Sequence, residues 1–147
     1  MAQKSTAATQ GTTARPSATA RDIMQRPVVA ATARASLRDV ATELVKNGFS
    51  GMPVADVDGR VVGVVTESDI VRTLIAGKRL ESPTTGEAMT GPPITVKVET
   101  PIEDVMKKLE ENRIVRVPVT DHGKLVGIIS RRDIIRAILE PEFIVFS

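Results

Sequence analysis

The stretch GVVTESD, Gly63 to Asp69, returns 64 positions later as GIISRRD, Gly127 to Asp133. Each copy has a glycine, two aliphatic residues, a hydroxyl residue, two polar residues and an aspartate. Each lies where an apolar run gives way to an amphipathic one. A chain that writes this pattern twice is read first for internal duplication.

The duplication extends outward from the motif. With a shift of 65, Met24 falls on Met89, Asp39-Val40 on Asp104-Val105, Leu44 on Leu109, Pro53-Val54 on Pro118-Val119 and Asp56 on Asp121. One deletion in the next turn reduces the shift to 64. Gly59 then matches Gly123, Val62-Gly63 matches Val126-Gly127, Asp69-Ile70 matches Asp133-Ile134, and Arg72 matches Arg136. The expected organisation is a disordered tail over 1–20, repeats at 21–76 and 86–143 joined by a Gly- and Pro-punctuated linker at 77–85, and a C-terminal tail at 144–147.

Both repeats carry the same element signals. Thr19-Ala20-Arg21-Asp22 and Thr84-Thr85-Gly86-Glu87 are capping boxes that start short helices. Pro27 and Pro92-Pro93 precede short β segments, Val28–Ala31 and Ile94–Val98. Ser36 caps an amphipathic helix with Leu37, Val40, Ala41, Leu44 and Val45 on its apolar face, closed by Asn47-Gly48. Thr100 caps the corresponding helix, with Pro101 at its first position, Glu103 completing the box, and Ile102, Val105, Met106 and Leu109 on its apolar face. Hairpins follow: Met52–Ala55 with Arg60–Val65, and Arg116–Thr120 with Lys124–Ile129. The last helices are expected to bury Ile70, Val71, Leu74 and Ile75, or Ile134, Ile135, Ile138 and Leu139. Each repeat is thus β-α-β-β-α, an α/β (α+β) unit too small for a large core. Two of them packed sheet to sheet would share one.

Composition narrows the function. Of 147 residues 41% are hydrophobic but only 2% aromatic, so the core is aliphatic and base-stacking platforms are missing. The net charge of +2 comes from Lys4 and Arg15 in the first twenty residues, and the remainder is neutral. Nucleic-acid binding through the tail and Arg131/Arg132 is therefore a minor alternative. With no cysteine, disulfides, thiolate metal sites and cysteine nucleophiles are excluded, which suits a cytoplasmic protein. No apolar run is long enough for a membrane helix. The single histidine, His122, sits in a turn, no zinc or phosphate-loop spacing occurs, and no nucleophile–base–acid set is visible. Neither a metal site nor catalysis is expected.

The Thr66-x-x-Asp69 and Ser130-x-x-Asp133 patterns are capping boxes in their own right. Three features point beyond capping. Gly63 and Gly127 sit inside strands, where glycine often marks close approach of a ligand or of backbone. Strand, hydroxyl and helix N-terminus in that order make an anion site, with a carboxylate one turn in that can accept from a ribose diol. Arg131, Arg132 and Arg136, with Arg116 ahead of Pro118, supply forked cations suited to phosphate. Gly51 stands opposite Arg116, and Glu67 and Ser68 opposite Arg131 and Arg132, so the two sites should differ in anion affinity.

On these residues the chain resembles a tandem pair of cystathionine β-synthase (CBS) domains, a Bateman module. The match comprises Met24…Pro27 and Met89…Pro93, the Met52-Pro53-Val54 and Val117-Pro118-Val119 strands, and the two glycine–hydroxyl–aspartate motifs. The resemblance implies a pseudo-twofold pair that binds AMP, ADP, ATP or S-adenosylmethionine in clefts between the repeats. Asp69 and Asp133 would hold ribose, Thr66 and Ser130 would meet phosphate with Arg116, and adenine would lie near Val28 and Ile94. It also implies a homodimer that signals to a separate effector protein. A ligand-free interaction module remains the alternative.

Overall fold

A computed structural model describes residues 18–139. Most of the expected tail over 1–20, and the C-terminal stretch 144–147, lie outside the described residues. The elements are α1 (Ala20–Ile23), α2 (Leu37–Asn47), β1 (Gly51–Ala55), β2 (Val61–Thr66), α3 (Glu67–Ile75), α4 (Thr85–Ala88), β3 (Val96–Lys97), α5 (Ile102–Glu111), β4 (Arg116–Asp121), β5 (Lys124–Ser130) and α6 (Arg131–Leu139). The architecture is mixed α+β with small sheets: β1 pairs with β2, and β4 lies between β3 and β5.

The chain forms two compact units. The first holds residues 27–95 and 120–126; the second holds, of its described residues, 18–26, 96–119 and 127–139. Each unit therefore combines the body of one sequence repeat with the lead-in of the other. The first unit has an aliphatic core of Ala31, Leu37, Val40, Leu44, Met52, Val54 and Val65. In the second unit Val98, Ile102, Val105, Leu109, Val117, Val119 and Ile129 are buried.

The lead-ins are held by backbone. In the second unit Ala20 and Arg21 donate to the carbonyls of Thr100 and Val98 at 2.8 and 3.0 Å, and Ile102 donates to Ala18 at 3.3 Å. Ala18 and Ala20, inside the expected tail, are buried. In the first unit Thr85 and Gly86 donate to Ala35 and Ala33 at 2.8 and 2.9 Å. The linker is pinned as well: Leu37 and Arg38 donate to the carbonyls of Pro83 and Leu80, and Arg38 pairs with Glu81 at 3.1 Å. The Glu81 carboxyl lies below its ordinary range, first because of a backbone hydrogen bond and then because of Arg79 and Arg38.

Four local expectations need correction. The segment Val28–Ala31 is not a strand; Ala31 alone bridges, parallel, to Val54, donating to Pro53 O and accepting from Ala55 N–H. Extending that ladder two residues back would need an N–H on Pro53, which proline lacks. The second β segment shrinks from Ile94–Val98 to Val96–Lys97, and Pro118 stands at the matching place in its neighbour β4. At α5, Pro101 is the N-cap rather than the first helical residue, and no side chain caps the helix; Thr100 Oγ1 instead accepts from Lys97 N–H at 3.0 Å. Finally, Val45, Val71, Leu74, Ile75, Ile135, Ile138 and Leu139 are exposed, not buried. Asp69 and Asp133 turn inward at the start of α3 and α6, and that fixes the rotation of each helix. The apolar stripe one face away is left outside.

Candidate functional site

Each motif closes on itself first. Thr66 N–H and Oγ1 donate to Asp69 Oδ2 at 2.8 and 3.1 Å, and Asp69 N–H returns to Thr66 Oγ1 at 3.3 Å. In the second unit Ser130 N–H and Oγ donate to Asp133 Oδ2 at 2.8 and 3.0 Å, and Asp133 N–H donates to Ser130 Oγ at 3.2 Å. The capping boxes read from the sequence are therefore formed, and in both the carboxylate is buried. A carboxylate taken out of water must be fully hydrogen-bonded, and these are.

Only one oxygen of each aspartate belongs to the cap. Asp69 Oδ1 accepts from Arg72 Nη2 and, at 3.3 Å, from Thr90 Oγ1. Asp133 Oδ1 accepts from Gln25 Nε2 at 2.6 Å, with Arg136 Nη1 3.6 Å away. Gln25 and Thr90 were missed in the sequence. Their signal was present: at a shift of 65 a polar residue follows the matched methionine in both repeats.

The two glycines are explained by neighbours within each unit. A Cβ on Gly63 would lie 2.5 Å from Met89 Sδ and 3.1 Å from Thr90 O. A Cβ on Gly127 would lie 2.8 Å from Met24 Cγ and press on its Sδ. The close approach, expected of a ligand or of backbone, is made by methionine at both glycines and also by the Thr90 carbonyl at Gly63. The anion site is also narrower than expected. Glu67 and Arg131 N–H donate to Ser50 and Val115 carbonyls at 2.9 and 3.0 Å, so with the cap two of the first three amides of α3 and of α6 are committed.

The remaining candidates divide between the units. In the second, Arg116 opens β4, one residue after Val115 meets α6, and Arg131 and Arg132 are exposed on the first turn of α6. In the first, Gly51 takes the place of Arg116, and Val28 and Ile94 are half-buried. Among the described residues no group of three or more His, Asp or Glu could hold a metal ion, and no helix is long and apolar enough to cross a membrane.

Comparison with known proteins gives a consistent family. The profile of the CBS domain matches residues 20–76 and again 86–140. L-aspartate semialdehyde sulfurtransferase of Methanocaldococcus jannaschii is 32% identical over 117 residues, 79% of this chain, but the chain spans only 22% of that protein's length. The crystal structure of the CBS domain pair of MJ0100, in complex with 5'-methylthioadenosine and S-adenosyl-L-methionine, superposes with a TM-score of 0.74 at 32% identity, covering 82% of this chain and 95% of that one. CBSX2 in complex with AMP gives a TM-score of 0.74 at 31% identity, covering 84% and 98%; CBSX2 comes from Arabidopsis thaliana.

Proposed function

Because this chain belongs to the CBS-domain family and carries the domain twice, we propose that it is a regulatory module that binds an adenosine-containing ligand and reports its occupancy to a partner protein. AMP, ADP, ATP and S-adenosylmethionine are the candidate ligands. Asp69 and Asp133 receive the ribose hydroxyls on Oδ1. Thr66 and Ser130, with Arg116, Arg131, Arg132 and Arg136, face phosphate in so far as the ligand carries it. Val28 and Ile94 flank adenine. The chain binds rather than catalyses, and works in the cytoplasm. The observation that carries this reading is the buried aspartate in each unit, with one oxygen in a helix cap and the other held by side-chain donors that a diol can replace. The relatives solved with AMP and with S-adenosyl-L-methionine support it.

A homodimer is part of the proposal. Val71, Leu74 and Ile75 on α3 recur as Ile135, Ile138 and Leu139 on α6, all exposed. Apolar stripes repeated at the same positions suit a self-complementary interface.

One observation favours a ligand-free interaction module instead: both oxygens of each aspartate already have donors within the chain. Calorimetric titration of the full chain with the four ligands separates the two. Saturable heat that Asp69→Ala and Asp133→Ala each reduce, with cooperative unfolding retained, is the expected result. Flat titrations at millimolar ligand overturn adenosine binding, and variants that lose stability without losing affinity per folded molecule overturn the ligand role of the two aspartates and leave them as helix caps.

A further inference from the structure

Resting on the adenosine-binding reading, we propose that Gln25 and Thr90 set unequal ribose affinities at the two sites, so that a nucleoside without phosphate fills the Asp69 site first and the Asp133 site is held back by its own chain. The two residues occupy the same place in their units. Gln25 N–H donates to Ile128 O at 2.8 Å, and Gln25 O accepts from Ile128 N–H at 3.1 Å. Thr90 N–H donates to Val64 O at 2.9 Å, and Thr90 O accepts from Val64 N–H at 3.1 Å. Ile128 and Val64 each follow a motif glycine, on which the preceding methionine, Met24 or Met89, is seated. The backbone thus delivers each side chain to the same oxygen, Oδ1 of the motif aspartate.

What arrives there differs. Gln25 brings a carboxamide N–H at 2.6 Å, a short bond to a charged acceptor. Thr90 brings a hydroxyl at 3.3 Å, near the limit of a hydrogen bond. A carboxylate oxygen has about two acceptor directions. Arg72 takes one of them at Asp69, whereas Arg136 Nη1 stands 3.6 Å from Asp133 Oδ1, an ion pair that covers that side without a hydrogen bond. A ribose hydroxyl must therefore take the direction that Thr90 or Gln25 holds. The threonine bond is long, and its hydroxyl re-aims by rotation about one bond, so little is lost. Both bonds end on a carboxylate, but the glutamine bond is the shorter, 2.6 Å against 3.3 Å, and must be broken before the ligand bond forms. That loss weakens the Asp133 site by about tenfold or more.

The test is calorimetry of the full chain with adenosine, which carries no phosphate for Arg116, Arg131 and Arg132 to hold, on the wild type, Gln25→Thr, Gln25→Ala and Thr90→Gln. The wild type is expected to show two binding events separated by about tenfold or more. Asp69→Asn removes the tighter event and Asp133→Asn the weaker. Gln25→Thr and Gln25→Ala strengthen the weaker event by about tenfold and leave the tighter one, whereas Thr90→Gln weakens the tighter. In side-chain amide NMR spectra the Gln25 signals move only as the weaker event proceeds. Two equal events in the wild type, or a weaker event unchanged in both Gln25 variants, overturn the inequality while leaving adenosine binding in place. No heat from adenosine, AMP, ADP, ATP or S-adenosylmethionine in any of these proteins removes both.

Discussion

Gly51 and Thr66 face each other across the β1–β2 hairpin, and a Cβ on Gly51 would stand 3.1 Å from both Thr66 Cγ2 and Val65 O. The second repeat carries the complementary pair. Position 116 has the side chain, an arginine, and position 130 is serine, which lacks the methyl group. The asymmetry between the sites is thus written in two coupled positions. A side chain on β4 is compatible with a serine cap; a threonine cap goes with a bare strand. That coupling keeps a forked cation off the first residue of β1 and permits one on the first residue of β4.

The coupling predicts that Gly51→Arg alone destabilises the protein by about 1–3 kcal/mol through overpacking, and that Thr66→Ser in the same chain recovers part of it. Urea unfolding of the two single variants and the double variant gives the interaction energy directly. Strictly additive effects would show that Thr66 Cγ2 is not what excludes a side chain at 51.

The Met89–Gly63 contact yields a second prediction. An alanine at 63 meets Met89 Sδ at 2.5 Å and the Thr90 carbonyl at 3.1 Å. The thioether can swing aside but the carbonyl cannot. Gly63→Ala should cost about 1–3 kcal/mol, and Met89→Ala combined with it should cost less than the sum of the two. Thermal unfolding of the three proteins checks this. If the glycine were there only to admit a ligand, Gly63→Ala would leave the ligand-free stability unchanged.

The sequence showed the duplication, both hairpins, the capping boxes other than that at Thr100 and the aliphatic core, because each is local: period, turn residues and hydroxyl–carboxylate spacing need no partner to be read. What it hid is non-local. The Val28–Ala31 segment reads as a strand until Pro53, in its neighbour, is seen to lack the N–H it would need. Val71, Leu74 and Ile75 read as a core face because periodicity defines a stripe without saying which way it points. Only the inward turn of Asp69 fixes that. The repeat alignment marks Gln25 and Thr90 as equivalent, but they sit 108 and 21 residues from the carboxylates they meet, so no spacing rule joins them to Asp133 and Asp69. The compact units, which combine one repeat's body with the other's lead-in, are non-local for the same reason.

Removing a cap hydroxyl tests how far the aspartates serve the fold. Thr66→Ala and Ser130→Ala each delete one acceptor of an N-terminal amide and one donor to Oδ2, and should cost about 0.5–2 kcal/mol. Oδ1 keeps its donors, so AMP affinity per folded molecule should change less than in Asp69→Ala or Asp133→Ala. Denaturant midpoints and calorimetry on the same samples separate the two effects. Equal affinity losses for the hydroxyl and the carboxylate variants would mean that the hydroxyl, not Oδ1, makes the essential ligand contact.

The repeated stripe on α3 and α6 makes the last prediction. Leu74 is 52% exposed and Ile138 45%; at 64 positions' separation they are the same place in the two repeats. An aliphatic side chain this open contributes little to the stability of an isolated chain, yet gains about 25 cal/mol for each Å² covered by a second copy. The full chain should therefore sediment as a dimer at micromolar concentration, and Leu74→Glu with Ile138→Glu should convert it to a monomer. Charges placed in the middle of an apolar contact are desolvated without a partner. On an exposed surface they change monomer stability by less than about 0.5 kcal/mol. Sedimentation velocity together with denaturant unfolding over a range of protein concentrations distinguishes the cases. A wild-type monomer, or a dimer that survives both substitutions, would show that these stripes do not pair with a second copy.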